Sequence, residues 1–206
     1  MLTIWGRNNS INVMKVLWVC DEIGLAYRRI DAGLQHGVVD TPEYRQMNPN
    51  GRVPTIDDDG FVLWESNAIV RYLAARHERD DLLPREAAVR ANIERWMDWA
   101  TASLTVGMTP LFWQLIRTPS DKRDVRVLEQ ATIDAERCMR LLDQHLDSRD
   151  YLSAGRFTVA DIPAAAFVQR WCSLPMTRPA LPALEAYRQR MLLRDPFRAN
   201  VVQSLS

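Results

Sequence analysis

Apolar and polar positions over residues 1–80 switch between a strand-like and a helix-like period. Leu2 to Trp5 is a short apolar run closed by Gly6 and a polar turn, which predicts a strand. From Asn12 the apolar residues Val13, Val16, Leu17 and Cys20 recur on one helical face, and Gly24 ends the pattern. Tyr27 to Ile30 predicts a second strand, with room between the two for a βαβ crossover. Thr41-Pro42 reads as an N-cap followed by proline at the first helical position, opening a short helix to about Met47. Pro54 to Ile56 and Phe61 to Trp64 predict a hairpin turning at Asp57-Asp58-Asp59-Gly60, and Ser66 starts a further helix.

Beyond the charged stretch His77–Asp81 and Leu82-Leu83-Pro84, strand signals nearly vanish. Residues 86–107 read as one long helix carrying Trp96, Met97 and Trp99, and residues 121–147 as another. Phe157-Thr158-Val159-Ala160-Asp161-Ile162 is a helix start. Thr158 is expected to cap the Asp161 N–H, Asp161 to reach back, and Phe157 to pack on Ile162. A last helix follows Pro182 to about Leu193. The pattern predicts a small α/β unit over residues 1–80 and an all-helical unit over residues 86–206.

Composition narrows the function. The 206 residues balance 26 basic against 26 acidic side chains, so the electrostatic footprint of a nucleic-acid or membrane-surface binder is missing and neither is an expected partner. An apolar content of 47% supplies real cores and argues against disorder. Cys20, Cys138 and Cys172 are far apart and odd in number, which suits a reducing compartment, and His36, His77 and His145 lack ligand spacing, so no metal is expected. The chain opens without the charged and apolar regions of a signal peptide, and it has no apolar run of about 18 residues. The expectation is a soluble cytoplasmic protein.

The segment Asn48-Pro-Asn-Gly-Arg-Val-Pro54-Thr-Ile, with Leu63-Trp-Glu65-Ser66-Asn-Ala-Ile-Val-Arg-Tyr-Leu73, resembles the core motif of the cytosolic glutathione transferases. The opening Trp5-Gly-Arg-Asn-Asn-Ser10-Ile-Asn12-Val-Met-Lys-Val-Leu-Trp18, Arg95-Trp-Met-Asp-Trp99, Phe157-Thr-Val-Ala-Asp-Ile-Pro163 and Leu181-Pro-Ala-Leu-Glu-Ala-Tyr187 resemble the GstB-type bacterial branch, with a theta- or nu-like active-site loop. The resemblance covers nearly the whole chain and is weakest over residues 103–125. It implies a thioredoxin-like N-terminal domain, an all-α C-terminal domain, glutathione as co-substrate without a metal, usually a homodimer, and a detoxifying transferase acting on small electrophiles. Glutathione-dependent disulfide or peroxide reduction, or binding of glutathione or apolar ligands with little turnover, are the competing functions.

Several residues fit that chemistry. A cis Val53–Pro54 bond would turn the chain and leave the Val53 backbone outside the sheet, where in the family it pairs with the cysteinyl part of glutathione. An ordinary turn proline is the alternative. At Glu65-Ser66 a strand meets a helix. The helix N-terminus and the Ser66 hydroxyl suit an α-carboxylate, and Glu65 suits the neighbouring ammonium. Plain helix capping is the alternative there. Arg52, with Gln35 or His36, is a candidate for the glycyl carboxylate.

A free thiol has a pKa of about 8.5, and lowering it by about two units needs roughly 2.7 kcal/mol, the size of one or two hydrogen bonds plus a helix N-terminus. By resemblance Ser10 occupies the catalytic serine position of theta-like transferases, and Asn12 matches a position used in nu-like relatives. Both residue types also suit simple capping. Trp99, Met108, Phe112 and Trp113 are expected to line the electrophile pocket, with Arg117 able to meet an anionic substrate.

Overall fold

The computed structural model describes residues 1–205; Ser206, the last residue of the predicted helical unit, lies outside the described residues. Strand β1 (Leu2–Trp5) leads into α1 (Ile11–Ile23), and β2 (Tyr27–Ile30) returns parallel to β1 with Leu2 opposite Tyr27. After α2 (Pro42–Met47), β3 (Thr55–Asp58) runs antiparallel to β1 with Ile4 opposite Ile56, and β4 (Phe61–Trp64) pairs antiparallel with β3. The four-stranded sheet has the order β2-β1-β3-β4. The strand after Pro54 starts one residue later than expected and extends to Asp58. Its turn contracts to Asp59 and Gly60, both at positive φ, as a two-residue hairpin connection requires.

Thr41 does cap α2, accepting from the Tyr44 N–H at 3.2 Å, and Gly24 ends α1 in the left-handed conformation. Helix α3 (Ser66–Arg76) packs beside α1. Every residue from Val13 to Cys20 is buried, because α1 is covered by the sheet unit on one side and by α7 (Asp161–Ser173) and α9 (Asp195–Val201) on the other. Trp18 sits at this junction, 4.9 Å from the Phe197 ring and 5.6 Å from that of Phe157. Burying a side chain of this size contributes about 2–3 kcal/mol.

The helical region departs from expectation in three places. The helix starting at Ala87 does not stop at 107. After α4 (Ala87–Trp99) the backbone widens into a π-turn over Ala100–Leu104, continues as α5 (Thr105–Phe112), and widens again over Trp113–Arg117. Each π-turn admits about one extra residue and rotates the following side chains by about 100°, so apolar periodicity changes phase within a continuous rod. Helix α6 (Val125–Leu146) begins four residues later than predicted, capped by Asp124, which accepts from the N–H groups of Arg126 and Val127. Finally, α8 (Pro182–Leu192) is not the last helix. Seven-residue α9 follows, too short to announce itself by period, yet it buries Phe197, Asn200 and Val201.

Two local contacts hold this region in shape. At Gly107 a Cβ would stand 2.6 Å from the Ala135 amide nitrogen, so α5 and α6 approach backbone to backbone. The buried Asp161 accepts from the Thr158 N–H at 2.9 Å, the Leu152 N–H at 3.1 Å and the Tyr187 hydroxyl at 3.1 Å. The reach back from Asp161 is as predicted. The Asp161 N–H, however, bonds the Thr158 carbonyl, while the Thr158 hydroxyl accepts from Ala160 at 3.4 Å.

Candidate active site

Two cavities lie side by side between the sheet unit and the helices. The larger, about 530 Å³, is lined by Arg7, Ser10, Val53, Phe112, Trp113, Arg117 and Arg170 among others. The smaller, about 210 Å³, is lined by Lys15, Asn48, Pro54, Glu65, Ser66, Asn67, Thr101 and Thr105 among others. Asn12, Arg52 and Val53 line both and form the wall between them.

The wall is held by local polar chemistry. Buried Asn48 donates to the Arg52 carbonyl at 2.9 Å and to the Thr55 hydroxyl at 3.0 Å, and the Tyr44 hydroxyl donates to the same carbonyl at 2.7 Å. The Val53–Pro54 bond is cis. Among the described residues nothing hydrogen-bonds the Val53 N–H or C=O, so both are available to a ligand in the groove.

At the smaller cavity Glu65 takes φ +71° with a full side chain, a conformation that costs about 1–3 kcal/mol and clusters at ligand sites. It turns the chain from β4 into α3 and brings the helix N-terminus and the Ser66 hydroxyl to the cavity. Asn67 donates to the Met97 carbonyl at 2.8 Å and the Thr101 hydroxyl at 3.0 Å, fastening α3 to the long helical rod.

Ser10 precedes α1, is 8% exposed and lines the larger cavity. Its side chain makes no capping bond, which leaves the hydroxyl free to face that cavity. Asn12 is engaged differently. Its Oδ1 accepts from the Lys15 ammonium at 2.9 Å and from the Ser66 hydroxyl at 3.3 Å. Sequence reasoning missed Lys15, although a lysine amid the buried run Val13–Cys20 was its available signal. Burial pushes its ammonium down to about 7; the Arg170 charge adds to this and the Glu65 charge opposes it.

The larger cavity is cationic. Burial, then the charges of Arg117 and Arg7, lower Arg170 to about 10; burial followed by Arg117 also lowers Arg7. The Arg170 guanidinium lies 4.3 Å from the Phe112 ring centre, and Arg117 lies 5.3 Å from Phe112 and 5.1 Å from Trp113. Arg7 lies in the opening motif but had no role there, and Arg170 lies in no motif. They meet because the turn after β1 and helix α7 face one another across the cleft.

Phe112, Trp113 and Arg117 thus line the larger cavity. Trp99 and Met108 do not: Trp99 packs edge-on against Trp96 at 5.4 Å and Met108 is wholly buried. The π-turn over Ala100–Leu104 shifts the phase of Met108, whereas Trp99 precedes that turn and is carried toward Trp96 by the ordinary period of α4. Gln35 and His36 also miss it. They occupy the exposed 3-10 turn Leu34–His36 and contact one another at 3.1 Å. Cys20 is completely buried and burial pushes its thiol up, which makes it a packing residue. Among the described residues no group of three or more His, Cys, Asp or Glu gathers to hold a metal, and no helix is long and apolar enough to cross a membrane.

A mixed four-stranded sheet carrying a helical region, with a shared cleft between them, defines the glutathione transferase fold. The family model for the glutathione S-transferase N-terminal domain matches residues 1–75. The chain is 38% identical over 208 residues to glutathione S-transferase GstB of Escherichia coli (strain K12), covering all of both chains. It is 30% identical to glutathione S-transferase 3 of Zea mays, covering 97% of this chain and 93% of the relative. A crystal structure of the theta class glutathione S-transferase from the citrus canker pathogen Xanthomonas axonopodis pv. citri, with glutathione bound, superposes with TM-score 0.96 at 44% identity, over 100% of this chain and 99% of that one. The chain belongs to the glutathione S-transferase family, and its enzyme class is that of a transferase.

Proposed function

We propose that this protein joins the sulfur of glutathione to small electrophiles, with Ser10 holding the thiolate. The observation that carries this reading is the uncommitted Ser10 hydroxyl beside the wall shared by the two cavities. Glutathione lies with its γ-glutamyl group in the smaller cavity, the α-carboxylate at Ser66 and the helix N-terminus and the α-ammonium at Glu65. The cysteinyl backbone pairs with Val53 beside Pro54, and Arg52 meets the glycyl carboxylate. The Ser10 hydroxyl donates to the thiolate, lowering its pKa and keeping it nucleophilic. The sulfur then attacks the electrophilic carbon, and the leaving group departs with its electron pair. Asn12, tied to Lys15 and Ser66, orients the γ-glutamyl side rather than the sulfur.

The acceptor occupies the larger cavity against Phe112 and Trp113. The guanidinium groups of Arg7, Arg117 and Arg170 favour acceptors carrying a carboxylate or another anionic group. The natural division of labour is a glutathione-binding unit over residues 1–80 and an acceptor-binding unit over residues 86–206. The enzyme works as a cytoplasmic detoxifying homodimer. Phe61 and Trp64 on β4, 49% and 36% exposed, with the tilted Tyr72 ring 4.9 Å from that of Phe61, offer the second copy an apolar edge.

Turnover of a chloronitrobenzene with glutathione, compared with turnover of a mixed glutathione disulfide, tests the chemistry. Conjugation exceeding disulfide reduction supports a transferase, and the reverse supports a reductase. Glutathione binding with neither activity supports a binding protein.

A further inference from the structure

Lys15 places a charge in the middle of the buried run Val13–Cys20, and its side chain is only 3% exposed. It reaches the smaller cavity rather than solvent. There Nζ donates to Asn12 Oδ1 at 2.9 Å and lies 3.5 Å from Ser66 Oγ. From the other elements, Glu65 and Ser66 face it at the entry to α3, and Arg170 and Phe167 face it from α7, with the Phe167 ring 5.4 Å from Nζ. Thr101 and Thr105 of the long rod close the cavity. Both hydrogen-bond partners are neutral, and the ammonium has a third donor. Glu65 acts on it only through its charge, without a hydrogen bond, so the buried cation still lacks a directly bonded anion and gains from one.

We propose that Lys15 is the counter-ion of the γ-glutamyl α-carboxylate, and that glutathione binding draws a proton from solvent onto the Lys15 amine wherever that amine is neutral. The inference rests on reading the smaller cavity as the γ-glutamyl site. A carboxylate oxygen accepting from Ser66 Oγ at about 2.7 Å can stand within ion-pair reach of Nζ. The Ser66 hydroxyl gives up only its long bond to Asn12 for this. The amine lone pair takes up a proton and no other bond breaks. The cavity then matches the amino-acid zwitterion with two opposite charges of its own: Lys15 beneath the carboxylate and Glu65 beside the ammonium. Lys15 is a positioning residue here, remote from the reacting sulfur.

Burial lowers the free-state pKa to about 7, so the neutral amine is accessible near neutrality and gains population as pH rises. A carboxylate neighbour raises that pKa, so binding and protonation are coupled.

The test is calorimetric titration of the full chain with S-methylglutathione, whose blocked sulfur carries no titrating proton. Measurements at pH 7 in phosphate, imidazole and Tris differ by the ionisation heats of the buffers. The expected wild-type result is net proton uptake at pH 7, growing as pH rises from 7 to 8. Affinity should fall between pH 7 and 9 by up to about tenfold per unit. Lys15→Arg, permanently charged, should bind without uptake. Lys15→Met should bind at least about tenfold more weakly and also without uptake. A buffer-independent enthalpy in the wild type overturns the proposal even if neither variant folds, and uptake that survives in Lys15→Met also overturns it. Absence of any wild-type binding overturns the γ-glutamyl reading itself, whereas tight binding without proton uptake removes only the role of Lys15.

Discussion

Asn67, at the start of α3, donates to the Met97 carbonyl of α4 at 2.8 Å, directly behind the smaller cavity. This bond joins the sheet unit to the helical rod where the γ-glutamyl group is proposed to sit. Asn67→Ala removes the bonds to the Met97 carbonyl and the Thr101 hydroxyl, which are the side-chain link between α3 and the rod here, and should cost about 1–2 kcal/mol in urea unfolding, since the Met97 carbonyl still accepts from Thr101 at 3.2 Å. KM for glutathione should rise several-fold while kcat changes less. A KM that stays constant in a destabilised variant would detach this bond from substrate binding.

Ser10→Ala removes the hydroxyl proposed to face the thiolate. A hydrogen bond to a charged group contributes about 1.5–3 kcal/mol, so the bound thiol's pKa should rise by about one to two units. Ultraviolet titration of the thiolate in the glutathione complex measures this. An unchanged pKa would remove Ser10 from the mechanism. Asn12→Ala should instead weaken glutathione binding, because its Oδ1 serves Lys15 and Ser66.

Arg170→Met keeps most of the side-chain volume and deletes a charge lining the cavity proposed for the acceptor. For a carboxylate-bearing chloronitrobenzene, KM should rise by about tenfold. For the uncharged parent compound the change should stay within about twofold. Equal effects on both acceptors would mean that Arg170 acts by packing on Phe112 rather than through its charge.

Gly107→Ala forces a methyl group against the backbone of α6 at Ala135. Neither backbone can swing away as a side chain can, so a loss of about 1–3 kcal/mol is expected. Equilibrium denaturation gives the value. A neutral outcome would show that the two helices separate easily.

The Lys15 amine makes stability depend on pH. Its folded pKa, about 7, lies below its ordinary value of 10.5, so the unfolded chain binds more protons between those limits. Stability from this group therefore rises as pH increases from about 7 towards 10 and is lowest below 7. Lys15→Met should raise the thermal midpoint most near pH 6.5 and least near pH 9.5. A gain independent of pH would indicate a packing effect.

Much of the fold and part of the site were legible because their signals are local. Thr41-Pro42, Gly24 and the Asp59-Gly60 turn each encode one backbone event within a few residues. Glu65-Ser66 did the same for the site: strand end, turn and helix start are contiguous. Met108 escapes a steady helical period because the π-turn over Ala100–Leu104 resets it, whereas Trp99, ahead of that turn, packs on Trp96 by the ordinary period of α4. Gln35 and His36 were plausible by composition, but the direction of their loop is a tertiary property. The meeting of Arg7 with Arg170 carried no signal, since it arises only when α7 packs against α1. Lys15 was visible as an oddity, a charge on an apolar face, but its target became apparent only when Ser66 was brought beside it.

The two π-turns in the rod from Ala87 to Arg117 carry a further consequence. Because a π-turn shifts angular phase by about one residue, deleting a single residue from Ala100–Leu104 would turn the surface after it by about 100°. Arg117 and Trp113 would leave the larger cavity and neighbours on the rod would take their place, without any substitution on the cavity face. The wall that the rod gives to the larger cavity is thus adjustable by insertion and deletion, as a dial is by its detents. Residues remote from any substrate can set which face of the rod the substrate meets.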